Sequence, residues 1–161
     1  MLLPQTAEYA LRAVVHVAED PRGAPARVGD IARALGVPRN YLSKTLHQLA
    51  RAGVLLSTRG PTGGFQLARP AHRLSLAEVI APFAPAGESD RSNCLLGRGR
   101  CQDSAPCSAH WRWKGVSQRL SRFFDDTTIA DLMHPAPAAP PKAASQRRAP
   151  KSRRSHARRT P

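Results

Sequence analysis

Val28-Gly29-Asp30-Ile31-Ala32-Arg33-Ala34-Leu35-Gly36-Val37-Pro38-Arg39-Asn40-Tyr41-Leu42-Ser43-Lys44-Thr45-Leu46-His47-Gln48-Leu49-Ala50-Arg51-Ala52-Gly53 is the stretch that decides the fold. Val28, Ile31, Ala32 and Leu35 recur at three- and four-residue steps and mark a short helix. It stops at Gly36, a residue suited to a left-handed C-terminal cap. Pro38 opens the next helix, where its fixed φ and missing N–H do least harm. Leu42, Leu46 and Leu49 are the buried stripe of that helix, and Gly53 ends it. Two helices separated by a short turn with Gly make a helix-turn-helix.

The next residues extend the motif. Val54–Thr58 and Phe65–Ala68 read as short strands, joined by Arg59-Gly60-Pro61-Thr62-Gly63-Gly64. A hairpin directly after a helix-turn-helix is the wing of a winged helix. Gly60, Gly63 and Gly64 allow close backbone approach to a groove, and Arg59 at the base of the wing suits a narrow minor groove. In a winged helix the second helix of the motif enters the major groove by its N-terminal residues, here Arg39, Asn40, Tyr41, Ser43 and Lys44. Arg reads guanine and Asn adenine through paired hydrogen bonds, whereas Tyr41 and Lys44 suit phosphates.

Outward from this centre, Ala7, Ala10, Leu11, Val14, Val17 and Ala18 line one face of a helix from Gln5 to Glu19, which Pro21-Arg22-Gly23-Ala24-Pro25 breaks. Ser75-Leu76-Ala77-Glu78 is a capping box. A loop rich in Gly, Ser, Arg and Cys follows from Pro85 to Ala105. Pro106 then opens an amphipathic helix running to Asp125, with Trp113, Val116, Leu120, Phe123 and Phe124 on its stripe. Twenty such residues span about 30 Å, more than the small domain can cover. The same helix of a second chain is the expected cover. Thr128-Ile129-Ala130-Asp131 reads as a last capped turn. The expected fold is mainly α with a small β-hairpin. It divides into a winged helix-turn-helix DNA-binding domain (1–84) and a cysteine-rich cluster-binding loop (85–111). A dimerisation helix with its capped turn (106–133) overlaps the loop end, and a disordered basic tail (134–161) follows.

Composition narrows the function. The chain has 161 residues, 25 of them Lys or Arg against 11 Asp or Glu, for a net charge of +14. The segment from His134 onward holds eight basic residues, no acid and nothing large and apolar to bury, so its ordering entropy goes uncompensated. Such a polycation adds sequence-independent affinity for a polyanion, above all nucleic acid. No run approaches the roughly 18 apolar residues of a membrane span, and Met1-Leu2-Leu3-Pro4 offers no secretory core, so a cytoplasmic protein without membrane association is expected. An enzyme is not expected. The histidines outside the cysteine region have no acid or nucleophile at motif spacing, and phosphate-binding and dinucleotide fingerprints are absent from the sequence.

Cys94, Cys101 and Cys107 are the only cysteines, and with His110 they read Cys-x6-Cys-x5-Cys-x2-His. Soft thiolates select iron–sulfur clusters, Cu(I) or zinc. A helix opened by Pro106 places Cys107 and His110 on one face, and Gly97 and Gly99 let the loop fold round a bound group. Structural zinc favours closer Cys-x2–4-Cys pairs, so the wider gaps point to a cluster, with zinc as the alternative. Arg98 and Arg100 offset the charge of ligated thiolates.

With these residues in view, the chain resembles the IscR/NsrR family (Rrf-type) of bacterial winged-helix transcriptional regulators over nearly all of 1–133. The resemblance lies in Glu8-Tyr9-Ala10-Leu11-Arg12, Asp30–Val37, Tyr41-Leu42, Leu46-x2-Leu49-x2-Ala52-Gly53-Val54, Arg59-Gly60-Pro61-x-Gly63-Gly64-Phe65-x-Leu67-Ala68, the three-cysteine loop and Thr128–Leu132. It implies a homodimeric repressor on double-stranded promoter DNA, whose affinity answers to an iron–sulfur cluster sensing nitric oxide, redox state or cluster supply. Cys94, Cys101 and Cys107 match the thiolate ligands. His110 matches the fourth ligand of a 2Fe–2S cluster, and Glu8, supplied by the partner's first helix, matches the acidic ligand of the alternative arrangement. A 2Fe–2S cluster is therefore expected, with 4Fe–4S as the other type. Two features depart from the family: the first cysteine gap is one residue longer, and the basic tail has no counterpart. Outside the resemblance, a winged-helix repressor with structural zinc and no sensing role, or a non-specific basic nucleic-acid-binding protein, are the alternatives.

Overall fold

In the computed structural model, residues 3–21, 23–60, 62–84 and 94–133 are described. The basic tail and the first part of the expected loop, 85–93, lie outside them, as does Pro61 of the wing. Six α-helices and one two-stranded antiparallel sheet occupy the described residues: α1 (Gln5–Ala18), α2 (Val28–Leu35), α3 (Arg39–Arg51), β1 (Leu55–Thr58), β2 (Gly64–Leu67), α4 (Leu76–Ile80), α5 (His110–Asp126) and α6 (Ile129–Met133). Short 3-10 turns at Ala71–Arg73 and Ala81–Phe83 flank α4.

The helix-turn-helix forms for the reasons its sequence gives. Gly36 adopts φ 66°, and the Val37 N–H bonds the Ala32 carbonyl while the Gly36 N–H reaches Arg33, which closes α2. Pro38 is the residue just ahead of α3, and its carbonyl accepts the first bond of the helix, from Leu42 N–H. Leu42, Leu46 and Leu49 are fully buried together with Ile31 of α2 and Val14 of α1. Each such side chain stabilises the fold by about 1.5–3 kcal/mol over its exposed state. From α1, the Arg12 guanidinium donates to the Leu35 carbonyl at 3.0 Å, satisfying a helix end that α2 leaves open.

The wing is a hairpin with Leu55 opposite Leu67 and Thr58 opposite Gly64. A third backbone segment joins it. Ala26 pairs with Phe65 through two N–H···O bonds of 2.9 Å, so the turn ahead of α2 braces β2. This bridge gives Gly64 a role that the hairpin alone does not require, because a Cβ there would stand 2.5 Å from the Ala26 carbonyl oxygen. A Cβ on Gly63 would meet the Thr58 carbonyl oxygen at 2.3 Å. The packing of the wing itself therefore demands both glycines, whatever they face in a complex.

Two capping boxes close the fold. Ser75 accepts from Glu78 N–H while Glu78 accepts from Ser75 N–H at 3.0 Å. Thr128 and Asp131 repeat the exchange at the start of α6. The two boxes are bridged by backbone: Leu76 N–H to Thr127 O at 3.0 Å and Ile129 N–H to Leu74 O at 2.9 Å. Ile129 and Phe124 thereby enter the same core as α1 and α4.

One boundary differs from its expectation. The last long helix, α5, begins at His110 and not at Pro106. The Cys107 carbonyl instead accepts the His110 N–H three residues on, at 3.0 Å, in a tight turn. Pro106 and Cys107 belong to the cysteine loop, so Cys107 and His110 do not share a helical face.

Candidate functional site

Cys94 begins the described part of the loop, and its conformation follows from two glycines. Gly97 and Gly99 take φ of 70° and 78°, a region open to Gly at no steric cost. The chain thus doubles back tightly enough for Cys94 N–H to bond the Gly99 carbonyl at 2.7 Å and for Gly97 N–H to bond the Cys94 carbonyl at 3.0 Å. The same turn aims the backbone N–H groups of Leu96 and Arg98 at the Cys94 sulfur, which holds its thiol below the ordinary range. Cys101 goes the other way: desolvation and then the charges of Cys94 and Cys107 push its thiol up. N–H···S bonds of the first kind stabilise thiolate ligands.

The loop brings the expected donors together. Cys94, Cys101, Cys107 and His110 border one cavity of about 320 Å³, with Arg98 and Arg100 also on its wall. The Cys94 and Cys107 sulfurs are 3.6 Å apart. Two thiolates on one tetrahedral metal, with bonds of about 2.3 Å, stand about 3.8 Å apart, so this pair fits a single metal atom. Among the described residues, however, no three Cys, His, Asp or Glu donors are placed to hold one ion.

His110 is buried, 1 % exposed, at the first turn of α5. Its Nε2 lies 2.9 Å from Asp103 Oδ1, and the same carboxylate accepts from Lys114 Nζ at 2.7 Å to each oxygen. Lys114 first and then His110 hold the Asp103 carboxyl below its usual range. Sequence reading missed Asp103 as the partner of His110, and Lys114 as the second partner of Asp103. Asp103 lies across a loop from the helix, and nothing in its spacing marks it, although Lys114 four residues beyond His110 is on the same helical face. Glu8 is exposed on α1.

The expected nucleic-acid surface is in part as anticipated. Arg39, Asn40 and Lys44 are exposed on the N-terminal half of α3 and Ser43 is half-buried; no side chain caps that helix end. Ser43 and Lys44 continue into a shallow basic cleft with His47, Gln48 and Arg51. Arg59 and Gly60 are exposed at the wing, while Gly63 and Gly64 are half-buried against backbone. Tyr41 is also exposed, while its hydroxyl bonds Thr6 Oγ1 and its ring meets Tyr9 edge-on at 5.8 Å.

Comparison with known proteins settles the lineage. The Rrf2 profile, described as an iron-dependent transcriptional regulator, matches residues 3–135. The chain belongs to the Rrf2 family. It is a transcriptional regulator of the DNA-binding winged-helix type and not an enzyme. It is 34 % identical to the HTH-type transcriptional regulator IscR of Vibrio campbellii over 133 residues, which cover 83 % of this chain and 77 % of that one. A putative HTH-type transcriptional regulator of Aquifex aeolicus is also 34 % identical, over 136 residues that cover 83 % of this chain and 92 % of the relative. Among solved structures, CymR of B. subtilis, the global cysteine regulator, superposes with a TM-score of 0.69 at 20 % identity, covering 81 % of this chain and 95 % of that one. T. potens IscR superposes with a TM-score of 0.65 at 21 % identity, covering 81 % and 85 %. These likenesses establish the Rrf2 winged-helix fold. No helix among the described residues is long and apolar enough to cross a membrane.

Proposed function

We propose that this Rrf2 regulator is a homodimeric repressor whose grip on promoter DNA is set by an iron–sulfur cluster held in the loop over 94–110, 2Fe–2S by preference. The observation that carries the reading is the convergence of Cys94, Cys101, Cys107 and His110 on one cavity. The Cys94 and Cys107 sulfurs have the separation of two ligands on one metal atom, and Cys101 is close enough to interact with both of them. Glu8, exposed on α1, is the alternative fourth ligand if the partner protomer supplies it. When bound, the cluster supplies a centre that reacts with nitric oxide and oxidants. The protein's part is to hold the loop in one arrangement only while its thiolates are ligated. A ligand shifts DNA affinity only by favouring one arrangement over another.

On DNA, Arg39 and Asn40 read base edges while Ser43 and Lys44 hold phosphate. Tyr41 acts from behind, by fixing the start of α3 against α1. Arg59 and Gly60 carry the wing's contact, with Gly63 and Gly64 shaping the turn, and the dimer reads an inverted repeat. A regulator of this kind works in the cytoplasm.

Oxygen-free purification followed by iron and acid-labile sulfide assay tests the reading, with promoter binding measured before and after nitric oxide and air. Iron and sulfide together with changed binding on exposure are expected. Colourless protein carrying one zinc per chain, with binding indifferent to both treatments, overturns it.

A further inference from the structure

Asp103 does two jobs with one carboxylate. It meets the Nε2 of a buried histidine at 2.9 Å and the Lys114 ammonium at 2.7 Å, so a loop residue is tied to two positions one turn apart on α5. An acidic side chain so placed accepts hydrogen bonds, and the His110 nitrogen facing it is therefore the one that carries the proton. When the imidazole is neutral, this contact selects the Nε2–H tautomer and leaves the lone pair on Nδ1. Trp111 meets the same ring edge-on at 4.7 Å, and Lys114 also lies over the Trp111 ring at 5.6 Å, so the first turn of α5 packs as a unit round this contact.

We propose that Asp103 is a positioning residue: it fixes the tautomer of His110, making Nδ1 the ligating nitrogen, and clamps the cysteine loop to the start of α5. The inference rests on His110 as a ligand, the reading given above. Carboxylates that hold the second nitrogen of a ligand histidine set its orientation and basicity, and their removal costs about 10–100-fold in metal affinity. Lys114 keeps Asp103 aimed at the ring.

Two measurements on the full-length chain test it. In cluster-free protein with 15N-labelled histidine at mildly alkaline pH, long-range proton–nitrogen NMR, assigned with His110→Gln, should show His110 as the Nε2–H tautomer. Asp103→Ala should abolish that preference and Asp103→Asn, whose side-chain oxygen still accepts, should keep it. An Nδ1–H tautomer in the wild type, or an unchanged tautomer in Asp103→Ala, overturns the proposal. In cluster-loaded protein, the decay of visible absorption under a chelator should be about 10–100-fold faster in Asp103→Ala, and less so in Asp103→Asn and Lys114→Ala. Decay at the wild-type rate in Asp103→Ala overturns the clamp. Hyperfine coupling from selectively labelled Nε2 overturns Nδ1 ligation. Wild-type protein without iron and sulfide defeats the cluster reading instead, and the NMR measurement still decides the role of Asp103.

Discussion

At the scale of single residues, Gly64 and Arg59 sit close together in the wing and answer to different physics. A methyl group on Gly64 would collide with the Ala26 backbone, which has no side chain to swing away. Gly64→Ala should therefore cost about 1–3 kcal/mol of stability in urea denaturation, the usual penalty of overpacking. Arg59 is exposed and reaches outward, so Arg59→Ala should leave that stability unchanged and weaken promoter binding in a gel-shift titration. Ser75 and Glu78 give a second residue-level test. The Ser75 backbone N–H, with help from Arg69, holds the Glu78 carboxyl below its usual range. A carboxylate depressed by folding contributes stability above its unfolded value and loses that contribution as pH falls through the folded one. Between about pH 5 and pH 3 the wild-type melting midpoint should fall further than that of Glu78→Gln. Ser75→Ala should cost about 1 kcal/mol at neutral pH, the value of a helix cap.

Among the elements, α3 carries contacts of two kinds. Lys44→Ala should weaken binding to all sequences alike and lower the salt-dependence slope by about 1. Arg39→Ala should cost about 1–3 kcal/mol against the preferred operator and relax the choice of base at one position, as read by a selection from random duplexes. The helices, the wing and both caps were legible in the sequence because each rests on a local pattern: the Leu42, Leu46 and Leu49 spacing, Gly36 after α2, Ser75 with Glu78, Thr128 with Asp131. The three thiols and His110 were legible as a set for a different reason, since the chain spends no cysteine elsewhere. What escaped was long-range. Pro106 carries the signal of a helix start, yet Cys107 is drawn into the loop and α5 waits until His110. Tyr41 belongs to a polar helix start in the sequence, and only the packed body shows it bonded to Thr6. Asp103 is seven residues from His110, a separation that even one helical face would leave about 10 Å apart, so only the loop's return brings them together.

For the molecule as a whole, Phe123 and Phe124 divide the labour of α5. Phe124 is 2 % exposed within the core, whereas Phe123 is 52 % exposed, alongside Val116 at 54 %. Phe124→Ala should destabilise the fold by about 3–5 kcal/mol in chemical denaturation. Phe123→Glu should leave folding intact and yield a monomeric mass in light scattering at micromolar concentration, where the proposed homodimer predicts twice that mass for the wild type. The paired caps at Ser75 and Thr128 carry a mechanical consequence. Helix α5 is pinned at its C-terminal end, where Phe124 is sunk in the core and Thr127, just past the helix, is stitched to the start of α4. Its other end, about 25 Å away by helix rise, carries His110 and adjoins the cysteine loop. In the proposed sensor, a shift of the sulfur loop would therefore tilt this helix about the seat that Leu120 and Phe124 make in the DNA-reading body.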